Sequence, residues 1–160
     1  DASTIPLDQD DPHPMKRAVA FCHSIKNSKQ ITTYFNEISA KYREDLEKDP
    51  LSLVQLKNVV AVESHHVDGG MSSSVRDDKL QWLQNAGSSS DAAVGPPCRI
   101  LTNARCLSEG VDVPSLDAVM FLSAKRSEID IIQSVGRVMR KSPDTDKKFG
   151  YVILPSIKIL

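Results

Sequence analysis

Two short apolar runs enclose a polar loop in CRILTNARCLSEGVDVPSLDAVMFL, Cys98–Leu122. The first run is CRILT (Cys98–Thr102) and the second is AVMFL (Ala118–Leu122). Both are largely apolar at successive positions, which is typical of strands buried on both faces of a sheet. The loop between them is rich in residues that favour turns. This stretch therefore predicts two central strands joined by an irregular connection.

Three more strands and three helices are predicted on either side of that stretch. The strands are RAVAFC (Arg17–Cys22), VVAVESHHV (Val59–Val67) and YVILP (Tyr151–Pro155), and the helices lie at about 28–42, from about 72 onward, and at 128–141. Strands that alternate with helices indicate a parallel sheet with helices on both faces. The fold class is therefore α/β. Residues 1–16 are interpreted as a linker or tail, and 17–160 as one domain.

Capping residues and apolar periodicity support the first two helices. In the first helix the apolar residues repeat at helical spacing, and Asn27 is the predicted N-cap; these residues are Ile31, Tyr34, Phe35, Ile38 and Tyr42. In the second helix Ser72 to Ser74 offer caps, and Val75, Trp82 and Leu83 share one face. Trp82 is interpreted as a packing residue. His65 and His66 alternate along their strand, so we expect them on opposite faces rather than as joint metal ligands.

Composition and charge narrow the function classes. The chain has 160 residues, 40% of them hydrophobic, and a formal net charge of −1, so it has no whole-molecule basic field. Lys and Arg exceed Asp and Glu by 10 to 7 after Cys98, which fits a local anion site. The three cysteines form no C-x-x-C pair, which favours free thiols and a cytoplasmic location. A first residue other than methionine agrees with a piece of a longer protein.

The predicted last helix carries a basic pair beside a glycine, in IIQSVGRVMRK (Ile131–Lys141). The apolar residues of this stretch fall in one arc, whereas Gln133, Arg137 and Arg140 project together on another side, next to Gly136. Guanidinium groups match phosphate oxygens, so these side chains could bind phosphate. The helix alone also allows a simple solvated face, and both interpretations stay open here.

The loop after the CRILT strand supplies further candidates. In an open parallel sheet ligands sit at the carboxyl ends of strands, where we expect Thr102 and Asn103. Hydroxyl and amide groups at such an end can hold a phosphate. Asp112 could accept hydrogen bonds from a sugar hydroxyl or an arginine, or could simply form a turn. Gly110 could lie near a ligand or could close a helical turn.

The order of these motifs resembles a known family. EGVDVP (Glu109–Pro114) and QSVGRVMR (Gln133–Arg140) resemble motifs V and VI of superfamily 2 helicases and translocases. AVAFCHS (Ala18–Ser24) resembles motif IV, the first strand of the same domain. The resemblance covers about Arg17 to Pro155 and is closest to the helicases of restriction and phage-defence systems. It implies the C-terminal, second RecA-like domain of such an enzyme.

The resemblance also implies roles for the matched positions. Arg137 and Arg140 would reach the γ-phosphate of ATP, one of them as an arginine finger. Positions near the nucleotide would be Gly110, Asp112, Gln133 and Gly136. Contacts with the nucleic-acid backbone would come from His23, Ser24, Gly70, Ser72, Thr102 and Asn103. The resemblance therefore predicts a nucleotide site and a nucleic-acid path.

Two motifs that the ATP site of such a helicase needs do not occur in this sequence. No G-x-x-x-x-G-K-[ST] string occurs, and no strand ends in an acidic D-E-x-[HD] motif. ATP and Mg²⁺ would therefore be held chiefly by an N-terminal P-loop domain of the same protein, the expected partner besides DNA or RNA. By itself this chain would be inactive as an ATPase. Two alternatives remain: a non-catalytic binding module with a helicase-like fold, and an unrelated α/β enzyme that binds a nucleotide or a sugar.

Overall fold

The computed structural model describes residues 15–48, 59–86, 97–104, 106–107, 116–123, 135–136 and 149–154. In this part of the chain the elements are β1 (Arg17–Phe21), α1 (Ile25–Lys48), β2 (Val62–Asp68), α2 (Ser73–Gln84), β3 (Cys98–Ala104), β4 (Ala118–Phe121) and β5 (Tyr151–Ile153). The strands form one parallel sheet in the order β2-β3-β1-β4-β5. The predicted α/β class with a parallel sheet is confirmed.

Helix α1 begins earlier than predicted because a different residue caps it. Ser24 Oγ accepts the backbone N–H of Asn27 at 3.1 Å, and Ser24 O accepts the backbone N–H of Ser28 at 2.8 Å. Ser24 therefore has the role that the sequence had assigned to Asn27, so that assignment was wrong. A serine oxygen at this position satisfies one of the free N–H groups of the first turn. The predicted N-cap of α2 is confirmed, since Ser72 Oγ accepts Val75 N–H at 3.3 Å.

Strand β3 continues two residues past its predicted end. Thr102 and Asn103 pair in register with β1, opposite Ala20 and Phe21. Both therefore lie inside the sheet rather than in the loop that follows it. Of the predicted last helix, the described residues are Val135 and Gly136, which are helical.

The sheet has an apolar core on each face. On the α2 face the buried residues include Val19, Phe21, Val67, Leu83, Leu101, Val119 and Phe121, with Val135 packed against them. On the α1 face they include Ala18, Ala20, Cys98, Ile100, Ala118 and Met120, with Phe35 packed against them. Small alanines on the second face let α1 approach the sheet closely. The two cores place helices on both faces, as the sequence predicted.

A row of polar side chains fastens α1 to strand β2. Ser39 Oγ accepts Val62 N–H at 2.8 Å. The Asn36 side chain both accepts Ser64 N–H at 2.7 Å and donates to Ser64 O at 3.0 Å. Arg43 donates to Val59 O at 3.4 Å. Because later helix residues bond to earlier strand residues, α1 runs antiparallel to β2. Helix side chains thus hydrogen-bond backbone groups of Val62 and Ser64 on the side of β2 that β3 does not pair.

The outer face of α1 carries three of the five apolar residues whose periodicity predicted the helix. Tyr34, Ile38 and Tyr42 are 46%, 66% and 52% exposed. Their spacing did identify a helix, but the side that faces the sheet combines Phe35 with polar residues such as Asn36 and Ser39. We expect Ile38→Ala to change the free energy of unfolding by less than about 0.5 kcal/mol, because little apolar surface is lost from the interior. Urea denaturation measures this; a loss above about 1.5 kcal/mol would contradict the exposed placement.

The cysteines are free thiols, as predicted. Burial raises the pKa of Cys98 to about 12, and burial together with the nearby Asp68 carboxylate raises the pKa of Cys106 to about 11. Such thiols are almost fully protonated at neutral pH and therefore react slowly. In the described residues, no helix has the length and apolarity needed to span a membrane.

Candidate nucleic-acid interface

The candidate site lies where β1 and β2 end and their helices begin. Because the strands are parallel, their carboxyl ends meet at one edge of the sheet. Helix α1 starts four residues after β1 ends, and α2 starts five residues after β2 ends. Both helices therefore direct their N-termini, with free N–H groups and positive dipole ends, toward this edge. Such an edge favours anionic groups such as phosphates.

The loop after β1 forms one side of the site. His23 and Lys26 are exposed, and Ser24 is half-buried as the cap of α1. A pocket with a volume of about 420 Å³ opens here and is lined by His23, Ser24, Ile25, Lys26 and Ala104. Hydroxyl, imidazole and ammonium groups on one wall could donate hydrogen bonds to phosphate oxygens. Lys26 and the pocket were missed by sequence reasoning, although a lysine two residues after a predicted contact was a usable signal.

The loop after β2 forms the other side. Gly70 and Ser72 are exposed, and Ser72 caps α2. Asp68 Oδ1 accepts the backbone N–H of Gly70 at 2.8 Å, which folds the loop back on the strand. A Cβ atom on Gly70 would lie 3.1 Å from the same oxygen, so the close approach favours glycine. These two predicted residues are thus brought to the same edge of the sheet as His23 and Ser24.

Thr102 and Asn103 do not reach the surface of that edge. Both are fully buried in β3. Thr102 Oγ1 lies 2.6 Å from Thr32 Oγ1 and 2.8 Å from Ser28 Oγ, beneath α1. Asn103 donates to Ala20 O at 3.2 Å. Its Oδ1 is buried with no hydrogen-bond donor among the described residues. Their side chains therefore pack beneath the loops and do not form part of the exposed surface.

One buried carboxylate organises the β2 side of the site. A hydrogen bond from the His66 side chain, followed by the Gly70 N–H, lowers the pKa of Asp68 below its ordinary value of 3.8. Since the folded pKa is the lower one, this contribution to stability is present above about pH 4 and is lost as the pH falls through the folded value. Asp68 is therefore ionised at neutral pH and acts only as an acceptor.

The adjacent histidines of β2 face opposite sides, as predicted. His66 hydrogen-bonds to Ser28 and Asp68 on the α1 side. His65 stacks on Trp82 on the α2 side, with ring centroids 4.0 Å apart. Trp82 packs against the core, in agreement with its interpretation as a packing residue. Burial, followed by the nearby Lys79 charge, lowers the pKa of His65. The described residues contain no group of three side chains that could hold a metal ion.

The predicted nucleotide-contacting residues lie mostly outside the described part of the chain. These are Gly110, Asp112, Gln133, Arg137 and Arg140. Gly136 is described, is exposed, and has nothing within 4 Å of the place where a Cβ atom would be. Its side of the helix is therefore open among the described residues. The assignments of these six residues stay predictions.

Comparison with known proteins identifies similar sequences. The family model "Helicase conserved C-terminal domain" matches residues 7–142. A protein named as a helicase in African swine fever virus is 43% identical over 56 residues, which is 35% of this chain and 6% of the viral protein. A protein of Sulfolobus islandicus filamentous virus, named helicase 22, is 38% identical over 55 residues, covering 34% of this chain and 10% of that protein. The matched part is thus a tenth or less of either relative.

Two solved structures, of a DEAD-box protein and of a helicase, have a similar fold. The DEAD-box protein SrmB of E. coli aligns with a TM-score of 0.54 and 14% identity, covering 89% of this chain and 64% of that one. The helicase Lhr of Mycobacterium smegmatis aligns with a TM-score of 0.50 and 21% identity, covering 88% and 15%. At these identities the likeness establishes the RecA-like fold. With most of its length matched by the family model, the chain belongs to the helicase conserved C-terminal domain family.

Proposed function

We propose that this chain is the second motor domain of an ATP-dependent DNA helicase or translocase. It would supply backbone contacts to the nucleic acid and arginines to an ATP site whose P-loop and Mg²⁺ ligands belong to an N-terminal RecA-like domain. The observation that carries the proposal is that two capped helix N-termini, at Ser24 and Ser72, lie at the same carboxyl edge of the sheet, with a pocket beside the first of them. Family membership supports it.

The proposed nucleic-acid path crosses the loops after β1 and β2. His23, Ser24 and Lys26 would contact one phosphate, and Gly70 with Ser72 another. Four of these residues are exposed, and Ser24 is half-buried. Contacts of this kind read the phosphate backbone rather than base sequence, as a translocating motor requires. Thr102 and Asn103 would act indirectly, because their side chains are buried.

The proposed nucleotide contacts come from the C-terminal part of the sequence. Arg137 and Arg140 would stabilise charge on the terminal phosphates, with Gln133 and Gly136 beside them. Asp112 and Gly110 would lie near the ribose or orient an arginine. ATP would close this domain onto its partner, and hydrolysis would release it, so that phosphate contacts on the two domains alternate. A P-loop and an acidic motif encoded before Asp1 would support this arrangement; a gene without them favours a non-catalytic binding module.

We expect Lys26→Ala to weaken binding of a labelled oligothymidylate about three- to tenfold at low salt, because one phosphate contact is removed. The slope of log K against log salt concentration should become shallower by about 0.7, the value for one contact on a single strand. Fluorescence anisotropy over a series of salt concentrations measures both quantities.

Lys41→Ala is the matched control, because Lys41 is also an exposed lysine of α1 but lies far from the N-terminus of the helix. It should leave affinity and slope unchanged. Equal losses in the two variants would show a diffuse electrostatic effect and would remove the β1 loop from the proposed path.

A further inference from the structure

A continuous chain of hydrogen bonds runs beneath α1 from one loop of the candidate site to the other. Ser28 N–H donates to Ser24 O at 2.8 Å. Ser28 Oγ lies 2.7 Å from His66 Nδ1, and His66 Nε2 lies 2.8 Å from Asp68 Oδ2. Asp68 Oδ1 then accepts Gly70 N–H at 2.8 Å. The chain therefore begins in the loop after β1 and ends in the loop after β2.

Every side chain of this network has a hydrogen-bond partner. The Asp68 carboxylate only accepts, so His66 donates Nε2–H to it. His66 Nδ1 lies within hydrogen-bond distance of Ser28 Oγ, at 2.7 Å. Ser28 Oγ donates to Thr102 Oγ1 at 2.8 Å, and Thr102 Oγ1 donates to Ser28 O at 3.1 Å. A fully satisfied buried network of this kind holds its members in one geometry.

Burial determines what this arrangement can do. Ser28 is 0% exposed, Asp68 is 7% exposed and His66 is 9% exposed. A serine, a histidine and an aspartate in series also form the catalytic chain of serine hydrolases. There the serine oxygen must reach a substrate, whereas the Ser28 oxygen is enclosed between α1 and the sheet. The network is therefore a structural connection rather than a nucleophile.

The sheet order shows why such a connection matters. Strand β3 lies between β1 and β2, so no backbone ladder joins β1 directly to β2. The described hydrogen bonds that cross from one loop to the other pass over β3 through the Ser28 and His66 side chains. The spacing between the two loops is thus set by these side chains as well as by the sheet.

We infer that His66 is a positioning residue, which through Ser28 and Asp68 fixes the spacing of the two loops that grip successive phosphates. The inference rests on the proposed function of those loops. His66 itself touches neither nucleic acid nor nucleotide. Its loss should loosen the Gly70 loop and weaken nucleic-acid binding while the core of the sheet stays folded.

The test compares three variants of this chain. His66→Phe keeps the ring volume but removes both hydrogen bonds, and His66→Gln keeps one donor and one acceptor. Ser64→Ala is the matched control. It removes a buried hydroxyl from the same face of β2, and that hydroxyl donates to Ile100 O and takes no part in the network. The readouts are exchange of the Gly70 amide proton with water by NMR and affinity for oligothymidylate by anisotropy. Exchange of the β1 amides reports whether each variant is folded.

In His66→Phe we expect Gly70 exchange to rise and affinity to fall, each about tenfold, the size expected for one charge-assisted hydrogen bond. His66→Gln should lie between this variant and the wild type, and Ser64→Ala should match the wild type. Unchanged Gly70 exchange in folded His66→Phe would overturn the inference, and so would faster exchange with unchanged affinity. A wild-type chain that binds no oligothymidylate at low salt would instead overturn the proposed function, whatever the exchange data show.

Discussion

When this chain is joined to a P-loop domain as proposed, Arg140→Ala should lower nucleic-acid-stimulated ATP hydrolysis by roughly 10³- to 10⁵-fold. The reason is that an arginine at this position of the Q-x-x-G-R-x-x-R pattern would stabilise charge as the γ-phosphate is transferred. The binding of substrates needs that charge far less than the transition state does. Steady-state turnover at saturating ATP and oligonucleotide measures the loss.

Two further substitutions make this result specific. Lys141→Ala removes the neighbouring basic residue, which lies outside the pattern, and should leave turnover within about twofold because it supplies no planar donor pair. Arg140→Lys keeps the charge but loses the bidentate geometry, so most of the activity should still be lost. Turnover by Arg140→Ala equal to that of the wild type would remove the arginine-finger role from this position.

Leu101→Ala should lower the free energy of unfolding by about 3 kcal/mol, within the range of about 2–5 kcal/mol measured for buried leucines. Leu101 is 0% exposed, and its neighbours across the sheet are Val19 on β1 and His65 on β2. A cavity at this central position cannot collapse, because strands fix it on both sides. Such a loss is a large share of the stability of a typical domain, about 5–15 kcal/mol.

Urea denaturation followed by circular dichroism checks this value. Ile38→Ala is the natural comparison, because it also truncates a large aliphatic side chain but on the exposed face of α1. If both variants lost the same free energy, the assignment of Leu101 to the centre of the core would be wrong.

The strands could be predicted from the sequence because their composition is decisive. Runs such as RAVAF and AVMF are apolar at successive positions, and only burial on both faces accommodates them. Helix α1 was predicted from the spacing of five apolar residues, yet three of them, Tyr34, Ile38 and Tyr42, are exposed. Their periodicity identified the helix without identifying its inner face. That face also carries polar residues such as Asn36 and Ser39, and polarity alone does not distinguish a surface from an interior with specific partners.

The candidate site was predicted in part. His23, Ser24, Gly70 and Ser72 were expected from the family resemblance, and the structure places them in loops at one edge of the sheet, while their contacts with nucleic acid stay a prediction. The hydrogen-bonded connection beneath them could not be predicted. It depends on Ser28 and His66 meeting across 38 positions of sequence, which requires the exact register of β2 and the exact rotation of α1.

The contacts between α1 and β2 have a consequence for association between molecules. An open sheet usually offers its outermost strand as a template on which another chain can pair, and this is a common route to aggregation. Here Ser39 and Asn36 already occupy the free groups of that strand at Val62 and Ser64. A foreign strand would have to detach a 24-residue helix before it could add to this side. The side chains of Ser39 and Asn36 therefore also hinder another strand from pairing with β2 at Val62 and Ser64.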